Sequence, residues 1–505
     1  MINYSKVLLL SILYFGFILK SEGKVTLPNL FTSHMVLQRE MKIPVWGEAA
    51  SGEKITVTLG SNVAVTTADA RGNWTVKLKP MKSGGPFTLK VTGENTVEFS
   101  DVLLGDVWIC AGQSNMELPV RRSTNSEKEI ANSANPHIRL LTVDHLANAD
   151  STRNNVNGVW FECNPVTIPM FTAVGYYFGR TLEKELNVPV GLIDIGWNGT
   201  RIEAWTSRDA LKRLESGKKE VEAYESSAPQ EDLKAMYNYA AQLKDYKQAV
   251  STGNSTIEAP EKPRPSRRVP SSVGSLYNYM VSPLIPFGIK GVIWYQGEAN
   301  AKSSESAIEY RKQLPNMIKN WRDDWQQGDF PFIFVQLPNF QSTGFWPLMR
   351  ESMLETYHAV KKTGMAVTID VGHKTDIHPS NKQDVGYRLA LQALNIAYKR
   401  KNSASQGPVF KSMKIKNGEA TLSFDHSGSG LKSKQSELKG FKIAGTDQQF
   451  YEAKAIILKD KVIVSSNKVG APVAVRYGWE DYPDCSLYNR ENLPATPFRT
   501  DRWSN

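Results

Sequence analysis

The stretch from Val107 to Glu117, V-W-I-C-A-G-Q-S-N-M-E, decides the fold. An apolar run, Val102 to Cys110, has the make-up of a buried strand and ends at Ala111-Gly112, with a serine at the mouth of the turn. Gly, Ser and Asn are ordinary turn residues, so taken alone the stretch is a strand-to-helix connection with incidental polar side chains. Ser114 stands out because three later strand ends carry matching chemistry. In an open α/β sheet such ends converge on one crevice.

Short apolar runs rich in Val and Ile recur at Val188 to Ile195, Lys290 to Trp294, Phe332 to Leu337 and Met365 to Val371, as buried parallel strands require. Helical patterns follow several of them, at Ala307 to Trp325, Leu348 to Lys362 and Val385 to Arg400. Residues 105–402 therefore read as a doubly wound α/β domain with a parallel sheet. A charge-dense helical segment, 208–271, interrupts it and closes on E-K-P-R-P-S-R-R-V-P; we read it as an insertion near the pocket rim. On both sides the pattern has period two. Before the α/β region, Ile55, Val57 and Leu59, then Trp74, Val76 and Leu78, alternate with polar residues, which predicts a β-sandwich over 24–104. After it, alternation at Met413 to Phe424, Phe441 to Ile443, Ala455 to Val464 and Val473 to Tyr477 predicts a small β-domain over 403–505.

At 505 residues the chain exceeds one ordinary domain, and 41% hydrophobic with 22% charged residues is a globular composition. The net charge of +10 is modest for this length, and its densest part, Arg208 to Arg268, interleaves bases with acids. That is a solvated helical face rather than a phosphate-binding stripe, so no nucleic-acid partner is expected. The first 23 residues read as a secretory signal peptide: Lys6, an apolar run too short to span a bilayer, then Ser21 and Gly23. Export to a periplasm or the extracellular space is expected, with no stable membrane insertion. Three cysteines, Cys110, Cys163 and Cys485, sit in unrelated contexts. Cys110 reads as a core thiol, and Cys163 and Cys485 could pair, but an odd count argues against disulfides as the scaffold. With no CxxC and no HExxH, no metal site is expected.

The four strand ends deliver a constellation. They carry Gly112-Gln113-Ser114-Asn115, Gly196-Trp197-Asn198-Gly199-Thr200, Tyr295-Gln296-Gly297-Glu298, and the segment from Gly372 through His373, Asp376 and His378 to Pro379. A serine hydroxyl is a poor nucleophile until an adjacent base takes its proton, so serine, histidine and carboxylate together are the parts of acyl transfer. The tetrahedral intermediate needs donors for its oxyanion, each worth about 3 kcal/mol. The backbone N–H groups of Ser114 and Gly199 and the side-chain amides of Gln296 or Asn198 are the candidates. Of the seven histidines only His378 has such company; His373 reads as a loop or rim residue, and His145 and the rest as structural or surface residues.

The stretches GQSNME, GWNGTRIEAW, WYQGEAN and DIHPSNKQDVGYRLA resemble the sialate O-acetylesterase group of the SGNH hydrolases, which are carbohydrate esterases. The resemblance runs from Gln38 to the L-P-A-T-P-F-R-T-D near the C-terminus. It implies a flavodoxin-like catalytic domain flanked by β-domains, hydrolysis of acetyl esters on sugars, and no cofactor. Carried over by position, it makes Ser114 the nucleophile, His378 the general base and Asp376 the supporting carboxylate. Many such hydrolases place the acid three residues before the histidine; here that residue is Thr375, which leaves Glu298 as a rival that could instead brace the oxyanion loop. Relatives carry two glycines before the threonine where this chain has Asn198-Gly199, a change asparagine tolerates in left-handed backbone. Gln113 joins the oxyanion group. Arg201 could grip a substrate carboxylate or hydroxyls and Trp205 could stack on a sugar, or the two could form an Arg–Glu brace and a core tryptophan. The expected partner is an O-acetylated carbohydrate, a sialoglycan or alternatively an acetylated plant polysaccharide such as xylan. A non-catalytic carbohydrate-binding protein is the reading from another class. The oligomeric state is open.

Overall fold

The computed structural model describes residues 24–252, 258–342, 344–400 and 404–503. The signal-peptide reading of 1–23 and the predicted boundary at 402/403 lie outside these residues.

The predicted Val102–Cys110 strand is part of a much longer one, Thr96–Gly112. Burial is alternating and partial as far as Asp101, then unbroken from Val102 to Gly112. The first stretch pairs antiparallel with Gly84–Thr92 among the N-terminal β-strands. The second enters the central sheet between Val190–Asp194 and Gly291–Tyr295, parallel to both. The predicted boundary at 104/105 thus falls inside one strand. A single hydrophobic core runs from Val25 on the N-terminal side to Leu394 on the last helix.

Across the sheet the strands lie in the order Thr363–Val367, Phe332–Gln336, Gly291–Tyr295, Thr96–Gly112, Val190–Asp194, Asn135–Thr142 and Phe161–Cys163. All neighbours are parallel except the last pair. The chain fills one side of the serine strand first and the other side afterwards. The order therefore reverses at that strand, which opens the crevice at its C-terminal end. Helices Trp346–Ala359 and Lys382–Ile396 both pack on the strands Phe332–Gln336 and Thr363–Val367, from opposite faces. Lys382–Ile396 lies against Ala173–Leu186, and Trp346–Ala359 against Ser304–Trp325. A Cβ on Gly386 would meet the Tyr177 Cβ at 2.6 Å, so only glycine allows the first helix pair its approach. This is the mixed α/β fold expected, with a mostly parallel central sheet and additional β-structure around it.

The charge-dense insertion contains a 37-residue helix, Glu215–Ser251, buried only at Gly217, Val221 and Ala228. At the other end of the chain, a β-domain packs around Phe424, Tyr477 and Phe498, with Phe410 stacked on Phe498 at 4.5 Å. Arg350, fully buried, docks this domain: its guanidinium donates to the carbonyls of Leu337 and Pro338 on one side and Glu480 and Asp481 on the other. All three cysteines are free, so the possible Cys163–Cys485 pair is not formed; each sulfur is packed in its own separate environment. Among the described residues no helix is long and apolar enough to cross a membrane.

Candidate active site

Gly112 makes the turn possible. Its φ is +142°, and a Cβ there would sit 2.1 Å from the Tyr295 carbonyl oxygen. The next residues form a short helix, Ser114–Glu117, whose Met116 and Glu117 amides bond back to the Gln113 carbonyl. Ser114 opens this helix, so its own N–H has no intrahelical acceptor. The Ser114 hydroxyl lies 2.8 Å from Nε2 of His378, across 264 residues of sequence. Burial holds the His378 imidazole below its ordinary pKa of 6.5; Asp376 opposes this, and the positive charges of Lys382 and Arg122 reinforce it.

Asp376 supports the histidine loosely. Its Oδ1 accepts the His378 backbone N–H at 2.8 Å and lies 3.8 Å from Nδ1. Its side chain is 59% exposed. His373 braces the same loop, its Nδ1 accepting the Asp376 N–H at 3.0 Å. The rival carboxylate, Glu298, is buried and bonds Asn115 Nδ2 at 2.6 Å. Burial raises its pKa, against the pull of Asn115 and Lys382.

The second loop is stitched to the Ser114 helix. The Trp197 N–H bonds the Gly112 carbonyl at 2.9 Å, and the Asn198 N–H bonds Glu117 Oε2 at 2.7 Å. Left-handed backbone occurs at Gly199, φ +69°, and not at Asn198, so the tolerance expected of the asparagine is not called upon. Trp197 stacks on His145 with ring centroids 4.4 Å apart, and His145 Nε2 reaches the Gly196 carbonyl at 2.8 Å.

Several predicted oxyanion or substrate residues have other work. Gln296 Nε2 donates to the Thr200 carbonyl and to Asn300 Oδ1, while its Oε1 accepts from Tyr310. Both amide hydrogens are engaged, so this side chain braces the loop rather than offering an oxyanion donor. Gln113 is buried and accepts the Ala299 N–H at 3.1 Å through its side chain. Trp205 is fully buried, edge-on to Trp294 at 5.7 Å, with its indole N–H on Thr200 Oγ1. It is a core tryptophan and has no face for a sugar. Arg201 is ion-paired with Glu220 of the insertion and lies 3.8 Å from Glu203, which is the Arg–Glu brace. Ser271 donates to the Gly199 carbonyl at 3.3 Å, so the far end of the insertion also borders the loop.

Sequence reading gave no role to Asn115 and Trp197, which it placed at the strand ends, nor to Glu117 and Lys382, and it left His145 among the structural or surface histidines. Lys382 carried a readable signal: it stands three and seven residues before Val385 and Leu389, on the buried face of its helix. His145 carried none, because its partners come from other elements. Among the described residues one trio, His34, Asp101 and Glu162, has metal-ligand proximity. It lies well up the serine strand, and Arg139 already pairs with both carboxylates.

Residues 249–395 match the family model described as carbohydrate esterase, sialic acid-specific acetylesterase. The chain is 32% identical to the sialate O-acetylesterase of Rattus norvegicus, over 92% of this chain and 92% of the relative. To the sialate O-acetylesterase of Homo sapiens it is 30% identical, over 93% and 91%. Among solved structures it superposes on a carbohydrate acetylesterase from Xanthomonas citri with a TM-score of 0.81 at 37% identity, covering 95% of this chain and all of that one. With identity at this level sustained over more than nine-tenths of its length, the chain belongs to the sialate O-acetylesterase family and is a carboxylic ester hydrolase.

Proposed function

We propose that this esterase removes O-acetyl groups from sugars, sialic acids first among them, through an acyl-enzyme in an SGNH-type site. One observation carries the chemistry: the 2.8 Å contact between the Ser114 hydroxyl and His378 Nε2 at the sheet's switch point. His378 takes the hydroxyl proton as Ser114 Oγ attacks the acetyl carbonyl. The imidazolium then returns that proton to the departing sugar oxygen, leaving Ser114 acetylated. A water molecule, deprotonated by His378, attacks the acetyl-serine and releases acetate with the serine restored. The N–H groups of Ser114 and Gly199 are the proposed oxyanion donors, with the exposed Asn198 side chain beside them. Asp376 stabilises the imidazolium. No step calls for a cofactor. The sialic acid preference follows the named activity of the mammalian relatives, and export through residues 1–23 completes the reading.

Acetate release from 9-O-acetylated sialic acid, acetylated xylan and p-nitrophenyl acetate, measured on the parent and on Ser114→Ala, tests it. Loss of all three activities in the variant is expected, with the parent fastest on the sialic acid. Full activity in Ser114→Ala would sink the serine mechanism, and a parent preference for xylan would replace the substrate.

A further inference from the structure

We propose that Lys382 is a positioning residue for the Ser114–His378 pair, acting as the clamp on an Asn115 strut that ties the nucleophile helix to the histidine loop. Asn115 directly follows the serine. Its Nδ2 donates to Glu298 Oε1 at 2.6 Å and to the carbonyl of Ile377, the residue before His378, at 2.9 Å. Its Oδ1 accepts from Lys382 Nζ at 2.5 Å. The three partners come from three elements: the loop after Gly291–Tyr295, the histidine loop and the first turn of helix Lys382–Ile396. Every polar atom of the Asn115 amide is engaged.

The cation decides which way that amide faces. A charged donor bonds an amide oxygen more strongly than a neutral one does. With Oδ1 held on Lys382, the NH₂ group must point at Glu298 and Ile377. Reversed, it would lose both acceptors and release the histidine loop. Placing a lysine here is costly twice over. Nζ is wholly buried, and the residue opens a helix, where the macrodipole disfavours a cation. Partial compensation comes from the Tyr295 ring, 5.0 Å from Nζ, and from the charges of Glu298 and Asp376. Burial still outweighs them and pulls the lysine down to about 7. A residue serving packing alone has no need of the charge.

The groups facing Lys382 are Glu298, Asp376 and Tyr295, and those facing His378 are Asp376, Lys382 and Arg122. Lys382 depresses the histidine, so removing its charge moves the acid limb of activity to higher pH.

This inference rests on the serine esterase reading, and the test separates the two. Lys382→Met and Lys382→Arg are assayed on p-nitrophenyl acetate across the acidic and neutral range, beside Ser114→Ala and a thermal melt of each protein. Full activity in Ser114→Ala would remove the esterase reading itself. With that variant inactive, folded Lys382→Met is expected to show kcat lowered by about 10- to 100-fold, as for an ångström-scale misplacement. KM should be unchanged and the acid limb raised. Parent kcat with an unmoved limb would overturn the clamp. Should Lys382→Met not fold, Lys382→Arg decides: a lowered kcat with the acid limb in place is expected, and parent kcat overturns the proposal.

Discussion

Replacing Asp376 by asparagine should cost this enzyme far less than the corresponding change in a buried catalytic triad. The carboxylate lies 3.8 Å from His378 Nδ1, with its side chain 59% and the histidine 31% exposed. A unit-charge pair at that separation is worth about 1 kcal/mol in water and about 4 kcal/mol at an effective dielectric of 20. Exposure keeps Asp376 near the lower figure, at about 1–2 kcal/mol of imidazolium stabilisation. Asp376→Asn should therefore lower kcat/KM by about 5- to 30-fold, whereas losing a buried triad aspartate costs about 10,000-fold. The sign of the accompanying pH change is fixed as well. The base must be neutral to accept the serine proton, so activity falls as pH drops through the His378 pKa, which lies below 6.5. Asp376 raises that pKa, so its removal should shift the acid limb further down. The assay is kcat/KM for p-nitrophenyl acetate against pH. A loss of a thousandfold or more would mean that Asp376 swings onto Nδ1 in the working enzyme, and the loose, solvent-screened support argued from the 3.8 Å separation would be wrong. No loss at all would remove it from the mechanism.

Two further substitutions probe the scaffold. Gly112→Ala places a methyl group 2.1 Å from the Tyr295 carbonyl oxygen, so the turn that presents Ser114 must shift; we expect loss of esterase activity and destabilisation by about 3 kcal/mol or more in denaturant titration. Arg350→Met strips four carbonyls of their donor between the catalytic and C-terminal parts, and should cost about 3–5 kcal/mol, read as a drop in melting temperature.

Most of the fold was legible because hydrophobic pattern reports burial. The four parallel strands predicted after Ser114 and the helices that follow them lie within a few residues of their predicted bounds: Lys290 to Trp294 became Gly291–Tyr295, and Leu348 to Lys362 became Trp346–Ala359. The same signal misled at Thr96–Gly112. There one strand passes from half-exposed to fully buried surroundings, and the change of period at Val102 reads as a change of element. In the site, motif position was enough to bring Ser114, His378 and Asp376 together. It could not tell which polar side chains face Ser114 and which face away. Gln296 and Trp205 lie in the right loops but spend their polar groups on Thr200 and its neighbours. Lys382 and Asn115, outside the predicted roles, hold the loops together.

The unbroken Thr96–Gly112 strand also limits how this protein can be dismantled. Residues 24–104 look like a detachable module in sequence, yet they supply the first nine residues of the strand whose far end presents Ser114. A chain cut at 104 would keep the motif but lose those nine residues together with the Gly84–Thr92 and Val36–Gln38 strands that pair with them. The N-terminal region is better regarded as the handle of a lever than as an appendage. Transplanting it, trimming it or exchanging it for other β-structure would be felt at Ser114 through the covalent backbone, with no linker between to absorb the strain.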